Sequence, residues 1–84
     1  PMDVKTACST ENMRKKGLTS AINGEADGLV FPDIEAGNMF YKTVTLFCHA
    51  NTAAVLQGTL APVVLPSRSD SKMSKFYSLA LAAL

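Results

Sequence analysis

The chain has 84 residues, of which 48% are hydrophobic and 18% are charged, and its formal net charge is +1. This length favours one small domain or part of one, and the absence of any block of like charge speaks against a sequence-independent grip on nucleic acid. No apolar run is long enough for a membrane span, and two cysteines with a single histidine predict a cytoplasmic protein with reduced thiols and no metal site.

The first predicted element is helical and runs from Asp3 to Lys16, either as one broken helix or as two short ones. Ser9 is a plausible N-cap, because its hydroxyl can accept from the free backbone N–H groups of a first turn. Gly17 supplies a stop signal.

A short apolar run follows at 28–32 and predicts a strand covered on both faces. The next segment opens at Gly37 and Asn38 and is amphipathic to about His49, which predicts a second long helix.

Two more apolar runs, at 53–56 and 62–65, predict further strands, and Ser71 can cap a last helix that carries a wide apolar stripe. Strands that alternate with helices imply a mostly parallel sheet with helices on its faces. The predicted fold class is therefore a layered α/β/α architecture.

Two loops are candidate binding sites, because ligands of parallel sheets bind beyond the carboxyl ends of the strands. The loop at 32–38 offers two carboxylates, a glycine and an amide, and the loop at 66–71 offers three hydroxyls and a guanidinium at a helix start, a combination that suits an anion. The alternative is that the acidic and hydroxyl side chains only cap helices and that Arg68 is an ordinary surface residue.

Residues 26–42 resemble the strand, the acidic loop, the Gly-Asn pair and the Tyr-Lys pair of the phosphate acetyl/butyryltransferases. Residues 61–71 are similar to the final Ser-Arg loop of that family, and the opening of the chain also matches it. The sequence Asp-Ile-Glu-Ala-Gly-Asn at 33–38 favours the butyryltransferase branch.

The resemblance implies transfer of an acyl group between coenzyme A and inorganic phosphate, with acyl-CoA and phosphate as substrates and no permanently bound cofactor. It implies a reaction centre at Ser67 and Arg68, with either Asp70 or another part of the enzyme as the general base. The residues that it implies for substrate binding are Asp33, Glu35, Gly37, Asn38 and Lys42.

The chain departs from the family pattern at Ser74, where acetyltransferase relatives have an aspartate proposed to be the base. The resemblance also implies that residues 1–84 are a carboxy-terminal fragment of a two-domain, isopropylmalate-dehydrogenase-like fold, with 1–60 in one domain and 61–84 returning to the other. Such a fragment is expected to be inactive alone and to associate with the amino-terminal portion or as a homo-oligomer. The competing hypothesis is a non-catalytic α/β module for assembly or regulation.

Overall fold

The computed structural model describes all 84 residues. It contains four helices, namely α1 (Val4–Cys8), α2 (Thr10–Lys15), α3 (Ile34–Phe47) and α4 (Lys72–Ala82). The chain divides into two units, Pro1–Pro32 and Asp33–Leu84.

The first unit begins with two short helices, which is one of the two alternatives predicted for residues 3–16. Asp3 caps α1 by accepting from the Thr6 N–H at 2.9 Å, and Ser9 caps α2 by accepting from the Asn12 N–H at 3.3 Å. Gly17 adopts a φ of +66°, which suits the predicted stop after α2. The predicted roles of Ser9 and Gly17 are therefore confirmed.

A loop closes the first unit against these helices. The Ala26 N–H donates to the Ala7 carbonyl at 3.0 Å, and the Thr10 hydroxyl donates to the Asn23 carbonyl at 2.9 Å. Gly24 lies so close to α2 that a Cβ there would stand 2.5 Å from the Thr10 nitrogen. Only Ala7 and Met13 are buried apolar residues, so the core of this unit is small.

In the second unit, α3 begins three residues earlier than predicted. Asp33 accepts from the Ala36 N–H at 2.8 Å and so starts the helix at Ile34. The predicted start at Gly37 and Asn38 is wrong, because a carboxylate N-cap in extended conformation outweighs the low helix propensity of an interior glycine. The helix ends at Phe47, and His49 then takes a left-handed φ of +52°.

The last helix has the predicted cap, since the Ser71 hydroxyl accepts from the Ser74 N–H at 3.1 Å. The buried residues of α4 are Ser74 and Ser78. The Ser78 hydroxyl accepts a hydrogen bond from the Ala54 N–H at 2.9 Å, which links α4 to the segment that follows α3. The apolar stripe of α4 is exposed instead, including Phe76 and Leu79.

The structure forms none of the three predicted strands. The segments at 28–32, 53–56 and 62–65 contain a single antiparallel bridge, between Leu56 and Val63. Val30, predicted to be covered on both faces, is 99% exposed. Apolar runs become strands only where neighbouring strands satisfy their backbone groups, and the 84 residues supply only that one pairing.

The structure divides at Pro32 and Asp33. The division near Leu60 between two domains of a longer protein stays a prediction. No helix combines the length and apolar character needed to cross a bilayer. No three His, Cys, Asp or Glu side chains gather as a metal site requires.

Candidate functional site

The serine-rich loop before α4 is held in a tight four-residue turn. The Asp70 N–H donates to the Ser67 carbonyl at 3.0 Å, and the Ser67 N–H donates to Oδ2 of Asp70 at 2.8 Å. These two reciprocal bonds fix the loop and set the Ser67 and Ser69 hydroxyls 3.1 Å apart.

Lys42 of α3 joins the two hydroxyls. Its Nζ lies 2.7 Å from the Ser67 Oγ and 3.2 Å from the Ser69 Oγ. Because an ammonium group can only donate, both serine oxygens accept from it, and one serine proton serves the bond between the serines. The other serine proton and the third N–H of Lys42 are left for a further acceptor.

The cations of this site have no carboxylate partners. The two ion pairs of the chain, Lys15 with Glu11 and Lys16 with Asp3, both lie in the first unit. Arg68, the residue between the two serines in the sequence, is exposed and has no ion-pair partner. A positive charge without a counter-ion, next to hydroxyl donors, is a suitable arrangement for binding an anion.

Asp70 is also anchored to α3. The Tyr41 hydroxyl donates to Oδ1 of Asp70 at 2.5 Å and lies 3.2 Å from the Thr52 hydroxyl. Removal of Tyr41 from water and its hydrogen bond to Asp70 raise the pKa of the phenol, so Tyr41 keeps its proton and stays a donor at neutral pH. Thr52 in turn contacts the Ser74 hydroxyl at 3.0 Å.

An open cavity of about 510 Å³ adjoins these groups. This volume lies within the range of small-molecule sites. Its lining comes from the end of α3 and from the loop and first turn of α4, and includes Lys42, Thr45, His49, Ser69, Asp70 and Ser74.

The predicted site residues fall into three groups. The structure brings Lys42, Ser67 and Asp70 together through direct hydrogen bonds. Arg68 is exposed and makes no hydrogen bond to these three residues. The predicted substrate-binding residues Asp33, Glu35, Gly37 and Asn38 lie instead at the start of α3 and make no hydrogen bond to the serine loop, and the Asp33 carboxylate is engaged in capping. Glu35 and Asn38 share a helix face with Lys42, at i, i+3 and i+7.

Two residues of this network were not predicted. Neither Tyr41 nor Thr52 is among the site residues that the sequence predicts. The adjacent Tyr-Lys pair at 41–42 was the available signal, because neighbouring helix positions point in directions about 100° apart and can serve two different contacts.

Residues 1–83 match the family model described as phosphate acetyl/butaryl transferase. The chain therefore belongs to this family.

Individual relatives match over the whole chain. It is 44% identical to a phosphate acetyltransferase of Thermotoga maritima and 46% identical to a phosphate butyryltransferase of Clostridium beijerinckii, covering 100% of this chain in both comparisons. It spans only 29% and 28% of those two proteins. The crystal structure of a branched-chain phosphotransacylase from Enterococcus faecalis V583 superposes with a TM-score of 0.85 at 47% identity, over 99% of this chain and 31% of that one.

Proposed function

We propose that this chain supplies the phosphate-handling part of an enzyme that transfers an acyl group between coenzyme A and inorganic phosphate. The observation that carries the proposal is the Lys42 ammonium group, which has no carboxylate partner and donates to the hydroxyls of Ser67 and Ser69. Arg68, the residue between these serines in the sequence, adds a second cation without an ion-pair partner. Membership of the phosphate acetyl/butaryl transferase family supports the same reaction.

In this reaction a phosphate oxygen bonds to the thioester carbon, the carbon–sulfur bond breaks, and the coenzyme A sulfur leaves as a thiolate. Both substrates are anions and negative charge develops on the carbonyl oxygen, so fixed donors and cations lower the barrier. The Ser67 hydroxyl and the Arg68 guanidinium are assigned to polarising the acyl carbonyl and holding the phosphate, and Lys42 adds charge at the same loop. Coenzyme A acts as a substrate, and no permanently bound cofactor is required.

The proposal places these residues in the carboxy-terminal portion of a longer, two-domain protein with a layered α/β fold. The support is the resemblance of residues 61–71 to the final Ser-Arg loop of the family and the 28–29% coverage of the curated relatives. The remaining walls of the cleft, and the residues that select the acyl chain, would then lie outside these 84 residues.

The test is thiol release from acetyl-CoA or butyryl-CoA, measured with and without phosphate, on the longer protein that carries this sequence. Arg68→Ala is expected to lower kcat/KM by about 100-fold or more, as removal of a transition-state donor typically does. Arg68→Lys keeps the charge but loses the two-pronged geometry, and should fall between wild type and Arg68→Ala.

The matched control is Arg14→Ala, which removes the other arginine of the chain from the exposed surface of α2. It should leave kcat/KM unchanged. Wild-type protein without phosphate-dependent thiol release would overturn the proposal and favour a non-catalytic module, and so would an Arg68→Ala variant with full activity.

A further inference from the structure

Both carboxylate oxygens of Asp70 already accept a hydrogen bond from a fixed donor. Oδ1 accepts from the Tyr41 hydroxyl at 2.5 Å and Oδ2 accepts from the Ser67 N–H at 2.8 Å. A general base must reach the proton that it removes, and an oxygen occupied by a fixed donor is poorly placed to do so. The position of Asp70 therefore suits a different task.

Tyr41 is the partner that ties the loop to α3. A phenol has one proton, and a carboxylate can only accept, so that proton goes to Asp70. The Thr52 hydroxyl donates to Oγ of Ser74 at 3.0 Å, and its oxygen lies 3.2 Å from the Tyr41 oxygen. The bond to Asp70 is the one that uses the Tyr41 proton, and it joins residues 29 positions apart.

Asp70 affects the proposed site through the backbone of Ser67. Asp70 fixes the Ser67 N–H, which sets where the Ser67 hydroxyl points relative to Lys42 and Ser69. A shift of about 1 Å in such a constellation can cost about 100-fold in rate.

We propose that Tyr41 is a positioning residue that acts through Asp70, and that Asp70 braces the Ser67–Asp70 loop instead of acting as the general base. This inference rests on the proposed acyl transfer at Ser67 and Arg68. It leaves to another part of the enzyme the role of the aspartate that acetyltransferase relatives have at the position of Ser74.

The experiment compares Asp70→Asn, Asp70→Ala and Tyr41→Phe in the longer protein. An asparagine can still accept the Ser67 N–H with its oxygen and can donate its amide to the Tyr41 oxygen, but it cannot take a proton as a base. The positioning role predicts that Asp70→Asn retains kcat/KM within about tenfold of wild type, whereas Asp70→Ala loses about 100-fold.

Tyr41→Phe removes only the hydroxyl and is expected to lower kcat/KM by about tenfold, the usual effect of losing one hydrogen bond to a charged group. In the Asp70→Ala background the same change should have almost no further effect, because the two residues act as one unit. The matched control is Tyr77→Phe, which alters the other tyrosine of the chain, an exposed residue of α4.

A second readout does not depend on activity. Hydrogen exchange of the Ser67 amide should accelerate in Tyr41→Phe and in Asp70→Ala, and should stay slow in Asp70→Asn and in Tyr77→Phe. If the wild type showed no transfer, the proposed function would fail while this measurement still reported on the brace. An Asp70→Asn variant as inactive as Asp70→Ala, or a Tyr41→Phe variant equal to wild type in rate and exchange, would overturn the inference.

Discussion

Asp3 combines a helix cap and an ion pair in one side chain. Its Oδ1 accepts from the Thr6 N–H at 2.9 Å, and its Oδ2 lies 2.6 Å from the Lys16 ammonium group. Both partners favour the ionised carboxylate, and the hydrogen bond from Lys16 contributes most. Together they lower the pKa of Asp3 from 3.8 to about 2.

The pH dependence of the first unit follows from the direction of this shift. A carboxyl group whose pKa is lower in the folded state stabilises that state above its unfolded pKa, here 3.8, and this contribution is lost as the pH falls through about 2. We expect the Asp3 carboxyl to titrate near 2 in an NMR titration, and Lys16→Ala to move its pKa up towards 3.8. Lys15→Ala, which removes only the pair with Glu11, is the control and should leave the Asp3 titration unchanged. A wild-type midpoint near 3.8 would contradict the assignment.

Among the elements, α4 shows how the neighbouring segment determines which face of a helix is buried. The segment after α3 offers polar partners, the Thr52 hydroxyl and the Ala54 N–H, and these engage Ser74 and Ser78. Those serines are consequently the buried residues of the helix, and Leu79 is 63% exposed. Within this chain the polar contacts, and not the apolar stripe, attach α4.

We expect Ser78→Ala to destabilise the 84-residue chain more than Leu79→Ala does, although a leucine usually contributes more to stability than a serine. Ser78, 3% exposed, accepts from the Ala54 N–H and donates to the Ser74 carbonyl. Ser78→Ala leaves the Ala54 N–H without its acceptor and should cost about 1–3 kcal/mol. Leu79→Ala should stay within about 0.5 kcal/mol, because that side chain is largely in water. Urea unfolding followed by circular dichroism measures both, and a larger loss for Leu79→Ala would show that the apolar stripe is covered.

The sequence predicted the features that depend on neighbouring residues, and it missed the contacts between residues far apart in the chain. The caps at Ser9 and Ser71 depend on atoms three residues away, so their patterns sufficed. The strands depend on partners elsewhere in a sheet, which no local pattern supplies. The link between Tyr41 and Asp70 likewise spans 29 positions, whereas the serine loop itself was recognisable because its hydroxyls and its arginine are consecutive.

At the scale of the whole molecule, the second unit lacks a core of its own. Its buried residues are the polar Ser74 and Ser78. Its large apolar side chains are exposed along both helices, including Met39, Leu46, Phe47, Phe76 and Leu79. Soluble proteins rarely expose so many apolar side chains unless another surface covers them. We expect the remainder of the proposed longer protein, or a second copy of it, to provide that surface.

Because so much of its surface lacks a partner, we expect the 84-residue chain alone to have no acyl-transfer activity. The hydroxyls and cations at Lys42 and 67–69 can hold one anion, but acyl transfer needs a second anionic substrate held in line and shielded from water. The open cavity of about 510 Å³ provides walls on one side only, from the end of α3 and the start of α4. We therefore expect no phosphate-dependent thiol release from the isolated chain, even where circular dichroism reports its helices. The longer protein, assayed at equal molar concentration, is the positive control, and steady turnover by the 84 residues alone would mean that they contain the whole reaction centre.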